Sequence, residues 1–186
     1  MLTDPETLCT AFEGVRRIAA GPLGDVAPQV RAVLDARPNA SIVILADDDS
    51  RRLDVDLRGT VKEVAARMAP IEKGPGRPKL GVVPREVTLL PRHWEWLSAQ
   101  QGGASVTLRR LVEQARKDPR ELTRTARDAA YRFMSTLGGN LAGFEEATRA
   151  LYAGDRSALE THIAAWPRDV REHLLTLAEA GLGDPS

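Results

Sequence analysis

The segment Ile71 to Gly81 constrains the fold most, because it cannot run through the interior of a helix or a sheet. Its sequence, IEKGPGRPKLG, holds three glycines and two prolines and has no apolar periodicity. Proline removes a backbone donor and fixes φ, and glycine increases the entropy lost on ordering. We therefore predict that residues 71–83 form an extended basic linker, which ends an N-terminal domain at residue 70.

The N-terminal segment, residues 1–70, has the pattern of a small α+β domain. Two β-prone runs, Thr7 to Phe12 and Val15 to Ala20, are expected to pair across Glu13 and Gly14. A helix follows, with Val26, Val30, Val33 and Leu34 on its buried face, and then a covered strand from Ser41 to Ala46. In the next predicted strand, Leu53, Val55 and Leu57 alternate with polar residues. The last element is a short helix from a Thr60 cap to Met68, with Val61, Val64, Ala65 and Met68 facing inward.

Residues 118–186 have a helical pattern and are predicted to form a C-terminal helical domain. The first helix is expected to end at Gly138-Gly139 and the second to run from Leu141 to Ala153. A third is expected from Arg156 to Trp166, and a fourth after Pro167, which suits a first helical position. The chain as a whole is therefore assigned to the α+β class.

The middle segment, residues 84–117, combines a short β-prone run from Arg85 to Pro91 with two helices. The helix around Leu97 is expected to stop at Gly102-Gly103, and Ser105 is expected to cap the second helix. This order of elements resembles the ribbon-helix-helix family. The resemblance implies an obligate homodimer, in which two copies of the short strand pair into a ribbon that enters the major groove of DNA.

The same resemblance implies a phosphate site at the start of the second helix. Ser105 and the amides of Val106 and Thr107 would hold a backbone phosphate, because the N-terminal end of a helix favours anions. Arg109 and Arg110 follow in the first turns of this helix and would add positive charge.

The resemblance and the apolar pattern assign opposite faces to the strand. The family buries the residue before the proline together with those two and four positions earlier, which here are Leu90, Thr88 and Glu86. Burial instead favours Val87 and Leu89 inside. A shift of one residue exchanges the two faces completely, so both alternatives stay open.

A second resemblance lies in the linker, at Gly76-Arg77-Pro78-Lys79. It resembles the Gly-Arg-Pro core of an AT-hook, which lays arginine along the narrow minor groove of A·T-rich DNA. Pro75 stands where that pattern usually has arginine. The residues predicted to contact DNA are Arg77, Lys79, Arg85, Thr88, Arg92, Ser105, Arg109 and Arg110.

The charge distribution supports a polyanionic partner for the middle of the chain. The net charge is zero, but residues 73–132 carry 13 basic and 6 acidic side chains, whereas residues 1–72 carry 9 and 12 and residues 133–186 carry 4 and 8. A basic centre between acidic flanks is more than solubility requires.

No catalytic, cofactor-binding or metal-binding site is predicted from the sequence. His93, His162 and His173 lack ligand spacing, and the single Cys9 has no histidine near it in sequence. The carboxylates of Asp47 to Asp49 with Asp54 and Asp56 have the chemistry to hold Mg²⁺ or Ca²⁺, but they lack the loop spacing of a calcium site, which favours a solvated surface. One cysteine and no apolar run near about 18 residues favour a cytoplasmic protein without a membrane segment.

Nearly the whole chain is similar to an uncharacterised bacterial family of unknown function. The segments that carry this similarity are Phe12-Glu13-Gly14, Asp54 to Thr60, Gly76 to Gly81, Arg85 to Trp96 and Gly143 to Ala147. The family implies no activity.

From its own residues, the chain is interpreted as a homodimeric DNA-binding protein, a transcriptional regulator or nucleoid-associated factor, and not as an enzyme. The alternative is an adaptor or antitoxin-like protein that uses residues 84–117 only to dimerise. Either protein would have room for a further protein partner on its N-terminal or C-terminal domain.

Overall fold

The computed structural model describes residues 4–69 and 83–182. These form two compact units: a large unit of residues 4–69 and 122–182, and a small unit of residues 83–121. The large unit contains a sheet and most of the helices, so the predicted α+β class is confirmed. The predicted linker, with Arg77 and Lys79, lies outside the described residues except for Val83.

Three antiparallel strands form the sheet of the large unit: β1 (Leu8–Glu13), β2 (Arg16–Pro22) and β3 (Ile42–Ala46), in the order β2-β1-β3. The predicted hairpin across Glu13 and Gly14 is confirmed. Gly14 adopts φ +57°, a left-handed conformation that glycine takes without steric cost. The central position of β1 follows from this hairpin and from its second pairing with β3.

Two helices cover one face of this sheet, α1 (Leu23–Ala36) and α2 (Val61–Met68). Thr60 caps α2 as predicted: the amide of Glu63 donates to Thr60 Oγ1 at 3.3 Å, and the amide of Thr60 donates to Glu63 Oε2 at 2.7 Å. Val64 and Met68 are buried, but Ala65, predicted to face inward, is exposed. A helix of two turns buries only the narrow stripe that its positions four apart define.

The strand predicted for residues 53–57 is wrong. The ladder beside β3 ends after the amide of Leu53 donates to the carbonyl of Ile44 at 2.9 Å. Beyond that point, a side chain takes the place of a neighbouring strand: Arg31 Nη1 donates a hydrogen bond to the Leu57 carbonyl at 3.3 Å. The alternation of apolar residues still buries one side of the segment: Leu53, Val55 and Leu57 pack on the core that includes α1.

Four helices form the rest of the large unit: α5 (Pro119–Leu137, from Leu122 onward), α6 (Phe144–Ala153), α7 (Arg156–Ile163) and α8 (Arg168–Ala178), followed by a 3-10 turn at Glu179–Gly181. The number of helices agrees with the sequence pattern. Pro167, predicted as a first helical position, is instead the N-cap of α8.

The boundaries 1–70 and 118–186 predicted a helical domain separate from the strands, but these helices do not form one. Phe12 of β1 and Leu45 of β3 lie in one hydrophobic cluster with Phe133 and other residues of α5 to α8. Cys9 and Ala11 lie in the other cluster, with α1 and α2. Successive side chains of a strand point to opposite faces, so β1 is buried on both sides and joins the two clusters.

The small unit contains α3 (Pro91–Ser98) and α4 (Gly103–Arg116), which pack against each other. The strand predicted for Arg85 to Pro91 is absent from the single chain: residues 83–90 have no regular secondary structure, and Pro91 begins α3. A strand needs a neighbour for its backbone groups, and within the described residues this segment has none. Across both described ranges, no helix is long and apolar enough to cross a membrane.

The shared core predicts that a change in β1 destabilises the C-terminal helices. Phe12→Ala removes a ring that lies 5.4 Å from the rings of Phe133 and His173, and we expect it to lower the free energy of unfolding by about 3–5 kcal/mol. Val15→Ala, an exposed position in the same hairpin, is the control. Urea denaturation followed by far-UV circular dichroism measures the effect on the helices. An unchanged helical transition in Phe12→Ala would show that the helices fold independently of the sheet.

Candidate nucleic-acid interface

The division of the chain into units separates its charge. Residues 72–121, the range of the small unit, hold 10 basic and 6 acidic side chains, a balance of +4. Since the whole chain is neutral, the range of the large unit carries −4. A polyanion would therefore be attracted to the small unit and repelled by the large one.

Apolar exposure is also concentrated in the small unit. Leu97 is its only large apolar side chain that is fully buried, at 3% exposure, among the described residues. By contrast, Val112 is 55% and Trp96 51% exposed. Within about 40 residues a chain rarely buries enough apolar surface to be stable alone. The exposed large apolar residues are Val83, Val87, Leu90, Trp94, Trp96, Val106, Leu111 and Val112.

The residues predicted to bind DNA fall on three parts of the small unit. Arg85 and Thr88 lie in the extended segment before α3, and Arg92 is the second residue of α3. Ser105, Arg109 and Arg110 lie on α4. All six side chains are exposed, whereas Arg77 and Lys79 lie outside the described residues.

Ser105 does not cap α4, contrary to the sequence prediction. The helix begins at Gly103, with Gly102 as its N-cap and no side-chain cap, so Ser105 is its third residue. Gly102 and Gly103 adopt φ +85° and +71°, which turns the chain into the helix without a capping side chain. Because the start lies three residues earlier than predicted, the sequence-based choice of capping residue was wrong.

This earlier start moves the free amides as well. Only the first four amides of a helix lack an intrahelical acceptor, counted here from Gly102 to Ser105. The amide of Gly103 donates to the carbonyl of Gln100 at 2.9 Å. The amides of Ala104 and Ser105 therefore lie at the helix end, ahead of the Val106 and Thr107 amides named by the sequence analysis.

Five arginines of the small unit have no acidic partner for their side chains within the part of the chain that the structure describes: Arg85, Arg92, Arg109, Arg110 and Arg120. Arg109 Nε donates to the carbonyl of Ser105 at 3.2 Å, which holds this guanidinium near the start of α4. Arg116, by contrast, pairs with Glu113 at 3.3 Å. The Arg109 guanidinium is thus available to an anion near the start of α4.

Sequence reasoning missed one group of polar residues in the large unit. Thr10, Arg17, Asp47 and His173 line one cleft of about 400 Å³. They come from β1, β2, the turn after β3 and α8, so no spacing along the chain indicates that they meet. Throughout residues 4–69 and 83–182, no three histidine, cysteine or acidic side chains are grouped to hold a metal ion.

Comparison with known proteins identifies a family. The model of a family described as "Uncharacterized protein conserved in bacteria (DUF2239)" matches residues 8–178. The matched range contains the small unit whole and nearly all of the large unit. No curated protein and no solved structure matches the chain.

The position of the α4 N-terminus predicts different effects for two neighbouring substitutions. Gly102→Ala should lower the stability of α4 by about 1–2 kcal/mol, because alanine disfavours left-handed φ and its Cβ would lie 3.1 Å from the Val106 side chain. Ser105→Ala should change it by less than about 0.5 kcal/mol, since Ser105 caps nothing. Native-state hydrogen exchange of the α4 amides measures both. A larger loss for Ser105→Ala than for Gly102→Ala would restore Ser105 as the cap.

Proposed function

The chain belongs to this uncharacterized bacterial family, and on the evidence of its own residues we propose that it is a homodimeric DNA-binding protein. It acts as a transcriptional regulator or a nucleoid-associated factor, with residues 84–117 as the element that dimerises and contacts DNA. The observation that carries the proposal is that one small unit combines a large exposed apolar surface with arginines that lack acidic partners.

Dimerisation accounts for the exposed apolar surface. A second copy that packs on the small unit would cover Leu111 and Val112 of α4, which are 40% and 55% exposed in the single chain. It would also supply a neighbour for residues 83–90, whose amides donate to no acceptor within the described residues. Two such segments side by side form the two-stranded ribbon that the resemblance to ribbon-helix-helix proteins implies.

Burial within the single chain favours one face for that ribbon. Leu89 is half-buried, whereas Glu86, Thr88 and Leu90 are exposed. Val87 is also exposed, at 55%, and lies on the same face as Leu89 in an extended segment. In the dimer Val87 and Leu89 face the core, so Thr88 faces the DNA. This is the alternative that the apolar pattern favoured.

The charges account for DNA as the partner. Arg109 is held near the start of α4 by its hydrogen bond to the Ser105 carbonyl, and Arg110 follows it, so a DNA phosphate there gains the free amides and positive charge. Arg85 and Arg92 flank the ribbon segment and contact neighbouring phosphates. The sequence-predicted arm, with Arg77 and Lys79, enters the minor groove beside it.

A second candidate function follows from the tryptophans. Trp94 and Trp96, 39% and 51% exposed on α3, are of the residue type most enriched at the energetic centres of protein interfaces. They favour the alternative of an adaptor or antitoxin-like protein, which binds a protein partner and uses the small unit only to dimerise. DNA affinity distinguishes the two functions, because only the first requires it.

The test is a reversal of charge at the start of α4. Arg109→Glu with Arg110→Glu should abolish DNA binding at moderate salt, since two phosphate contacts become repulsive; light scattering should still show a dimer. Gel shifts with random and A·T-rich duplexes at two salt concentrations measure the affinity.

The matched control places the same change of charge on the large unit. Arg149→Glu with Arg168→Glu removes two exposed ion pairs, with Glu146 at 2.9 Å and Glu172 at 2.7 Å, and should leave DNA binding close to wild type. If the Arg109→Glu, Arg110→Glu variant binds DNA as tightly as this control, the small unit is not the DNA interface and the adaptor function is favoured.

A further inference from the structure

The large unit contains a cleft that the proposed function does not use. It has a volume of about 400 Å³, within the range of sites for small molecules, and it lies between one face of the sheet and the helices α5 and α8. The sheet and the turn after β3 contribute the charged residues Arg17, Asp47 and Asp48, and the helices contribute apolar residues such as Ala126 and Leu177 together with two threonines. A ligand for this cleft is therefore both polar and apolar.

His173 on α8 forms part of the inner surface of the cleft and is only 7% exposed. Its ring packs on Phe133, with 4.7 Å between ring centroids, and on Phe12 at 5.4 Å. No described residue forms a hydrogen bond with either ring nitrogen. Neither ring nitrogen is among the fully buried unpartnered polar atoms, so both are open to the cleft, where a ligand can replace water as the hydrogen-bond partner. Burial lowers the pKa of His173, and the neutral ring can both donate and accept.

Two opposite charges face His173. Both groups line the same cleft as the ring, and there the carboxylate of Asp47 raises the pKa of His173 and the guanidinium of Arg17 lowers it. Asp47 Oδ1 accepts a hydrogen bond from Thr10 Oγ1 at 2.8 Å, which fixes the carboxylate. The amide of Arg17 donates to Asp169 Oδ2 at 2.8 Å, which fixes the backbone of β2 at this point. The Arg17 side chain has no acidic partner among the described residues.

We infer that this cleft binds a small zwitterion with an aliphatic body, of the class of the aliphatic α-amino acids. The ammonium group of the ligand binds Asp47 and the acceptor nitrogen of His173, and its carboxylate binds Arg17. The aliphatic side chain packs on the wall formed by Ala126, Ala129 and Leu177. A purely cationic ligand would gain nothing from Arg17, which is exposed to solvent, and a purely anionic one would be repelled by Asp47 and Asp48.

Three probes of matched shape test this assignment on the wild-type protein: L-leucine, 3-methylbutylamine, which lacks the carboxylate, and 4-methylpentanoate, which lacks the ammonium group. The His173 imidazole resonances in NMR titrations report binding. We expect L-leucine to bind at least about tenfold more tightly than either analogue, because only L-leucine engages both charges. Absence of a shift with millimolar L-leucine, or equal binding of either analogue, would overturn the assignment.

Substitutions locate the site. Asp47→Asn should weaken L-leucine binding at least about tenfold, and Asp25→Asn, an exposed carboxylate in the first turn of α1, should leave it unchanged. Equal affinities in these two variants would place any binding elsewhere. Arg17→Gln leaves the Thr10–Asp47 hydrogen bond in place and serves if Asp47→Asn does not fold. It should abolish the preference for L-leucine over 3-methylbutylamine, and a retained preference would contradict the role of Arg17.

Discussion

The large unit depends on the burial of β1 on both faces. Cys9 and Ala11 pack on one side with α1 and α2, and Phe12 packs on the other with Phe133 and the C-terminal helices. The pairing of β1 with β2 and β3 places it at the centre of the sheet. Because the two clusters share this strand, segments separated by the whole small unit in sequence fold into one body. The cleft around His173 exists only because α8 packs on this sheet.

The small unit shows the opposite balance. It buries Leu97 but leaves most of its large apolar side chains exposed, and it holds arginines without acidic partners. Apolar surface that a chain leaves uncovered in a small unit is the usual mark of an interface, and unpaired guanidinium groups favour an anionic partner. A homodimer that binds DNA satisfies both requirements at once. In that account the acidic large unit does not contact DNA and is free to bind a small molecule.

Local chemistry was predictable from the sequence, and long-range contacts were not. The hairpin at Glu13-Gly14 and the cap at Thr60 depend on residues within a few positions of each other, and both are confirmed. The contact of Phe12 with Phe133 joins residues far apart, and no pattern around either one specifies it. The start of α4 was misplaced because two glycines at positive φ make a capping serine unnecessary. The group of Asp47 and His173 comes from separate elements, so only the fold shows it.

Hydrogen exchange of those amides of residues 85–90 that pair across a ribbon, every second one, tests the central claim most directly, because they have no acceptor among the described residues of the single chain. The account predicts that they are protected at concentrations where light scattering shows a dimer, and that protection is lost on dilution. It is also lost in Leu111→Asp, which places an unpaired charge in the apolar interface. Exchange at the rate of an unstructured peptide at every concentration would contradict the ribbon and the dimer built on it.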